Sequence, residues 1–285
     1  MSFFVDDSSK LKDEWIATVL RYSFSYPYLM YQLLALSAFH LSIKHPTRSN
    51  FYLTESGSLQ AQALSIFNSS APFFNAEDLI PAFLFSGGLG LHVFCDIFSA
   101  PSQDLNTFLD RLVQAIRLLR GVRALIGDSW EMIKNSDIKC LLHEDDEPDM
   151  GRGDEIIGAF EELRTDFSRS RTLPASDLKI YCEAIDRLIW AYRSRPPDFT
   201  ADGPPNARMV TIWPITLSAE YTELLYARKP EALVVMAYFS ILLHSRRVFW
   251  AVGDAGRSLL RAVDKYLGEE WAQWLKVPKD MVLSP

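Results

Sequence analysis

Cysteine is scarce in this sequence: 285 residues hold only Cys95, Cys140 and Cys182. An odd, widely spaced trio builds neither a disulfide framework nor a zinc site, whose ligands must cluster. A reducing compartment is the reading that follows. Cations are thin as well: 29 Lys and Arg stand against 36 Asp and Glu, a net charge of −7. Gripping nucleic acid means neutralising phosphates with grouped cations. An acidic chain without a basic block is therefore not expected to bind DNA directly. Its densest basic stretches, Arg117 to Arg123 and Arg246-Arg247, lie within apolar helical patterns and read as helix-surface charge. The most apolar segments, Tyr28–Ile43 and Ala232–Leu243, fall short of the roughly 20 residues that a membrane span needs. Met1 to Lys10 lacks the basic start and apolar run of a signal peptide.

The motifs of catalysis are missing too. There is no Gly-x-Ser-x-Gly elbow and no phosphate-binding glycine loop. Gly87, Gly88 and Gly90 have the wrong spacing for a dinucleotide fingerprint and no strand ahead of them. They read as helix glycines that allow close packing or a bend. None of His40, His45, His92, His143 and His244 stands in a metal-binding spacing with another ligand. His40, His92 and His244 fall on apolar helices, where a lone histidine reads as a hydrogen-bonded core residue. Asp145-Asp146-Glu147-Pro148-Asp149 spells the aspartate-rich pattern that holds magnesium in all-α isoprenoid synthases. Pro148 breaks the helix such a motif needs, and the second metal-binding segment of those enzymes is not found downstream. The segment reads as a solvated loop. No metal, no cofactor and no catalytic residue is expected.

What the sequence has in quantity is apolar and aromatic material, 48% and 13% of residues, arranged with helical periodicity nearly throughout. Helices are expected over Lys10–Ser23, Tyr28–Lys44, Phe51–Phe67, Asn75–Phe98, Asp104–Ile126 and Trp130–Leu142. More follow over Asp154–Phe167, Pro174–Ser194, Ile215–Arg228, Pro230–Arg247, Asp254–Leu267 and Glu269–Lys276. Tyr28–Lys44 is apolar almost all round, the mark of a helix central in a core. Asn75 suits an N-cap, with Glu77 and Asp78 in the first turn where the helix dipole favours acids. Pro230 suits a first helical turn, where its missing N–H is no loss. An acidic exposed loop is expected over 143–154 and an irregular, proline-rich connection over 195–207. With no strand alternation and no internal repeat, the fold class is all-α. It reads as a single bundle-like domain of ten or more helices covering residues 1–285.

Two segments carry a family resemblance. The run Ser25-Tyr-Pro-Tyr-Leu-Met-Tyr-Gln-Leu-Leu-Ala-Leu-Ser-Ala-Phe-His-Leu-Ser, continuing to Pro46, resembles the start of the regulatory domain of fungal zinc-cluster transcription factors. Tyr52, Gln60 and Ala63-Leu64 resemble that family's next helix. Trp213-Pro214, Pro230-Glu-Ala-Leu-Val-Val-Met-Ala-Tyr-Phe-Ser-Ile-Leu-Leu, Phe249-Trp250, Gly253, Leu259-Leu260 and Trp271 to Pro278 are similar to the C-terminal part of the sterol-uptake-control subfamily. Arg120-Gly121-Val122 matches a shorter element between the two. The six-cysteine cluster and basic linker of such factors are not in this sequence.

The resemblance implies an all-α domain that binds a sterol in an apolar pocket. Occupancy then controls cytosolic retention against nuclear entry and gene activation. Helical spacing suggests Phe85, Leu89, His92, Met236, Phe239, Leu243, Phe249 and Trp250 as pocket residues, with His92 meeting a ligand hydroxyl. Expected partners are a hydrophobic small molecule, a second copy of the chain or transcriptional co-regulators, and the expected location is nucleus and cytoplasm. The alternative is a stand-alone relative acting as an enzyme or carrier on a hydrophobic intermediate of fungal secondary metabolism.

Overall fold

A computed structural model describes residues 9–73, 75–100, 104–126, 130–138, 155–169, 174–193 and 208–284. The regular structure of these residues is helical, as the periodicity predicts. The loop expected over 143–154 and the connection expected over 195–207 lie outside the described residues. Chain contacts gather into two compact units, Met1–Asp96 with Leu118–Glu144, and Ile97–Arg117 with Asp145–Pro285.

The first unit is built on α1 (Ser9–Ser25), α2 (Pro27–Lys44), α3 (Ser49–Ser70) and most of α4 (Leu79–Ser99). The second half of α5 (Leu105–Ile126) and the short α6 (Trp130–Lys134) complete it. Pro27 opens α2 at its first position, so the chain breaks at Tyr26 without losing a needed N–H. A three-residue 3₁₀ turn, Pro46–Arg48, returns it into α3. The hairpin is antiparallel: Tyr28 meets Phe67, the Ser56 hydroxyl reaches the Ala35 carbonyl, and His45 lies by Tyr52. At its base, Tyr28 stands nearly perpendicular to Phe67 and Phe85, and those two rings stack with centroids 4.3 Å apart. Such ring pairs add roughly 0.5–1.5 kcal/mol to their burial.

Asn75 caps as expected, its side chain accepting from the Glu77 N–H while Asp78 accepts from the Asn75 N–H. A 3₁₀ turn over Ala76–Asp78 then feeds α4. The helix is not interrupted by its glycines. A Cβ on Gly88 would come within 3.2 Å of Gln32 Cγ, and one on Gly90 within 3.2 Å of Leu119 Cδ2, so both serve close packing. Ala76–Ser99 is also the described stretch long and apolar enough to cross a membrane. Its Phe85, Leu89, Leu91, Phe94 and Cys95 are buried.

The second unit surrounds α11 (Pro230–Ser245), in which every residue from Ala232 to Leu243 is buried. Against it pack α7 (Glu155–Arg169) with α8 (Ala175–Arg193), α9 (Arg208–Thr216), α10 (Ala219–Tyr226), α12 (Ala255–Leu267) and α13 (Lys276–Leu283). Two expected boundaries move. Trp213-Pro214 sits inside α9, and the helix expected over Ile215–Arg228 is confined to α10, where Ser218 accepts from the Tyr221 N–H as a new cap. Glu269–Lys276 is a 3₁₀ turn and irregular chain, and the last helix begins only at Lys276. Arg228 adopts the left-handed φ of 53° that ends α10. Its guanidinium donates to Asp110, Asn106 and the Tyr226 carbonyl, which hold that unfavourable conformation in place.

α12 crosses α11 at Gly256. A Cβ there would lie 2.6 Å from the Ser240 carbonyl oxygen and 2.8 Å from the His244 nitrogen, both backbone atoms. Neither can turn aside as a side chain would. Gly256→Ala should therefore destabilise the second unit by about 1–3 kcal/mol, the cost of an overpacked core. Chemical denaturation followed by Trp fluorescence checks this, and an unchanged midpoint would refute the close approach.

Candidate functional site

The first unit hides a polar chain in its apolar interior. The Gln32 amide nitrogen lies 3.4 Å from the Gly88 carbonyl and 3.2 Å from His92 Nδ1. His92 Nε2 lies 3.1 Å from the Ser56 hydroxyl, which donates to the Ala35 carbonyl at 2.8 Å. Chemistry fixes every direction. The Gly88 carbonyl only accepts, so the atom of Gln32 facing it must be nitrogen. That nitrogen's second hydrogen goes to Nδ1, which is then bare. Nε2 therefore carries the ring hydrogen and donates to Ser56, whose own hydrogen is spent on Ala35. The chain ties α2, α3 and α4 together through one neutral histidine.

Burial holds the His92 pKa down to about 4, against a weaker upward pull from Asp96. His92 and Gln32 are buried, and Phe39 lies 5.4 Å from the imidazole. Gln32 Oε1 is the open end: it is buried without a hydrogen-bond partner among the described residues. Leaving such an acceptor unmet costs about 1–3 kcal/mol.

The second unit packs aromatic side chains in its core instead. Trp213 stacks on Phe239 at 4.4 Å and donates its indole N–H to the Ala184 carbonyl. The Phe98 ring lies 6.2 Å from that of Phe239, tilted against it. The Tyr221 hydroxyl donates to the Ala232 carbonyl at 3.0 Å, and its ring meets Trp213 and Tyr181 edge-on. Met236, Phe239, Leu243 and Phe249 are buried, while Trp250 is half-buried with its ring 5.3 Å from Phe249.

A separate cleft of about 560 Å³ opens between α7 and α8, lined by Glu161, Arg164, Thr165, Asp186, Ile189, Trp190 and Arg193. Its walls are ion pairs, Arg164 with Asp186 and Arg193 with Glu161. These side chains recur at helical spacing on two facing helices, yet in sequence they look like ordinary solvated faces.

The eight residues named from helical spacing thus divide. Phe85, Leu89 and His92 lie within the first unit, and Met236, Phe239, Leu243, Phe249 and Trp250 within the second. Sequence reading missed Gln32 and Ser56, the partners of His92. Gln32 is detectable in retrospect as the lone amide in the otherwise apolar Tyr28–Ile43 run. His244, expected to be a bonded core histidine, is only half-buried, and its Nδ1 has no partner among the described residues.

The chain is similar to a Zn(2)-C6 fungal-type transcription factor of Gibberella zeae, with 26% identity over 296 residues. That similarity takes in 95% of this chain, and the chain spans about 57% of the length of the curated relative it matches. No family model matches the chain. No solved structure matches it.

His92 makes stability depend on pH with a definite sign. Its folded pKa is depressed below the ordinary 6.5, so the unfolded chain takes up a proton first as pH falls. The stabilisation is full above pH 6.5 and is lost progressively down to about 4. The amount is about 3 kcal/mol. Urea unfolding at several pH values should show this loss in the parent chain and its absence in His92→Gln. Parallel pH profiles for the two proteins would contradict it.

Proposed function

We propose that this chain is the regulatory region of a fungal transcription factor and that it senses a hydrophobic, sterol-like molecule in its apolar interior. The observation that carries the first half is the likeness to a Zn(2)-C6 fungal-type transcription factor along 95% of the chain. In this reading DNA recognition belongs to other residues, because a net charge of −7 offers the phosphates no basic surface.

The ligand half rests on the resemblance of the Trp213-Pro214 and Pro230–Leu243 segments to the sterol-uptake-control subfamily. It is supported by the flat, apolar aromatic packing around α11, where the buried Trp213 and Phe239 stack. Met236, Phe239, Leu243, Phe249 and Trp250 are the proposed contacts there. In the first unit the proposed set is Phe85, Leu89 and His92. A hydroxyl arriving beside that set finds both nitrogens of His92 engaged, so the acceptor it meets is Gln32 Oε1. A ligand that prefers one conformation of the chain shifts the population toward it. That shift is the proposed signal, read out as nuclear entry against cytoplasmic retention and passed to co-regulators.

Adding ergosterol to delipidated chain should raise its melting temperature by several degrees, since ligand at a hundred times its Kd stabilises by about 2.7 kcal/mol. Phe239→Leu and Trp250→Ala, with their folds verified by circular dichroism, should weaken binding about tenfold or more, as expected for lost aromatic contact. Fused to a heterologous DNA-binding domain, the chain should switch a reporter with sterol supply. A reporter that switches without sterol binding would keep the regulator and remove the ligand. A silent reporter would remove both.

A further inference from the structure

α2 and α11 are both apolar all round, and a helix of that kind belongs inside a core. α11 is covered on every side, but α2 is not. Pro27, Leu34 and Leu41 are exposed at seven-residue intervals, with Leu34 47% and Leu41 36% open to solvent. Between them Met30 and Ser37, half-buried, and Lys44, exposed, repeat at the same interval. The spacing is that of the a and d positions of a helix that packs against another helix, with Met30, Leu34 and Leu41 as its apolar members and Ser37 and Lys44 as polar ones. From Pro27 to Ile43 the sequence holds no Asp, Glu, Lys or Arg. Phe24, 78% exposed and three residues ahead of Pro27, extends the apolar surface at that end.

We infer that this face pairs with the same face of a second copy of the chain, the two α2 helices running antiparallel about a two-fold axis at the level of Ala35 and Leu36. Charge selects both the occupant and the direction. The chain is acidic overall, so copies repel except across a surface without charge, and the α2 face from Pro27 to Ile43 is such a surface. At its ends the charges are opposite. Lys44 closes the C-terminal end. The N-terminal end is flanked by Glu77 and Asp78, because the Tyr26 hydroxyl reaches back to the Glu77 carbonyl. Tyr26 and Lys44, eighteen residues apart and five helical turns of about 3.6 residues, lie on the same side of α2.

In an antiparallel pair, like sides of the two helices face each other. Lys44 of one copy therefore meets the acidic turn at Glu77 of the other, twice by symmetry, as an isologous contact requires. Leu34 then lies opposite Ser37, and Met30 opposite Leu41, a large side chain facing a smaller one at the centre and two apolar ones at each flank. A parallel pairing would set Lys44 against Lys44 and acid against acid. Neither Lys44 nor Glu77 has an ion-pair partner among the described residues.

Sedimentation velocity on the full chain, run over a wide concentration range, tests this. The parent chain should sediment as a concentration-dependent dimer. Leu34→Glu should leave it monomeric with unchanged circular dichroism. Lys44→Glu should weaken the dimer about tenfold, and adding Glu77→Lys to it should restore the parent affinity. A parent chain that is monomeric at every concentration overturns the proposal. So does a dimer indifferent to Leu34→Glu, which uses another face, and so does a Lys44→Glu dimer that Glu77→Lys fails to rescue. The inference stands apart from the ligand: a dimer without sterol binding, or sterol binding by a monomer, separates the two.

Discussion

Burying a helix on all sides asks that no backbone or side-chain polar group be left facing the apolar surroundings, and α11 meets that demand in its own sequence. Its amides and carbonyls bond within the helix, and the Ser240 hydroxyl turns back on the Ala237 carbonyl. Pro230 at its first position has no N–H to leave unmet, and the Ala232 carbonyl takes a further bond from the Tyr221 hydroxyl. Two of its neighbours in the second unit show how closely it is met. α12 arrives through Gly256, where no side chain fits, and α9 brings Trp213 flat against Phe239.

The first unit solves the same problem with polar groups left inside. A chain of four hydrogen bonds through Gln32, His92 and Ser56 spans three helices, and it works only with His92 neutral. A buried polar network that is satisfied rigidifies a core, whereas each unmet member costs stability. The unmet Gln32 oxygen is where this interior is chemically distinctive, whereas the second unit is distinctive for its buried, stacked aromatic rings.

Helix existence was largely legible because it depends on period, and a period of 3.6 residues survives in the linear order. The cap at Asn75 was legible for the same reason, since its partners are within three residues. Boundaries at Trp213-Pro214 and at Glu269–Lys276 were not. Proline ordinarily ends a helix, but Pro214 follows Trp213, whose ring is held by Phe239 and whose N–H is held by Ala184, and packing there outweighs local preference. The partners of His92 were also hidden: Gln32 and Ser56 stand 60 and 36 residues away, and no spacing rule links them.

By itself, the sequence determined that the chain is helical, acidic, poor in metal ligands and rich enough in apolar residues to bury helices whole, because composition and period are properties of the chain order. It also marked Tyr28–Ile43 and Ala232–Leu243, the bodies of α2 and α11, as the most apolar segments. Only the tertiary structure decided that one of them is enclosed and the other keeps an open face. Enclosure depends on which other helices arrive and how near their backbones come, and that is settled by long-range contacts such as Gly256 on Ser240, not by the helix's own residues.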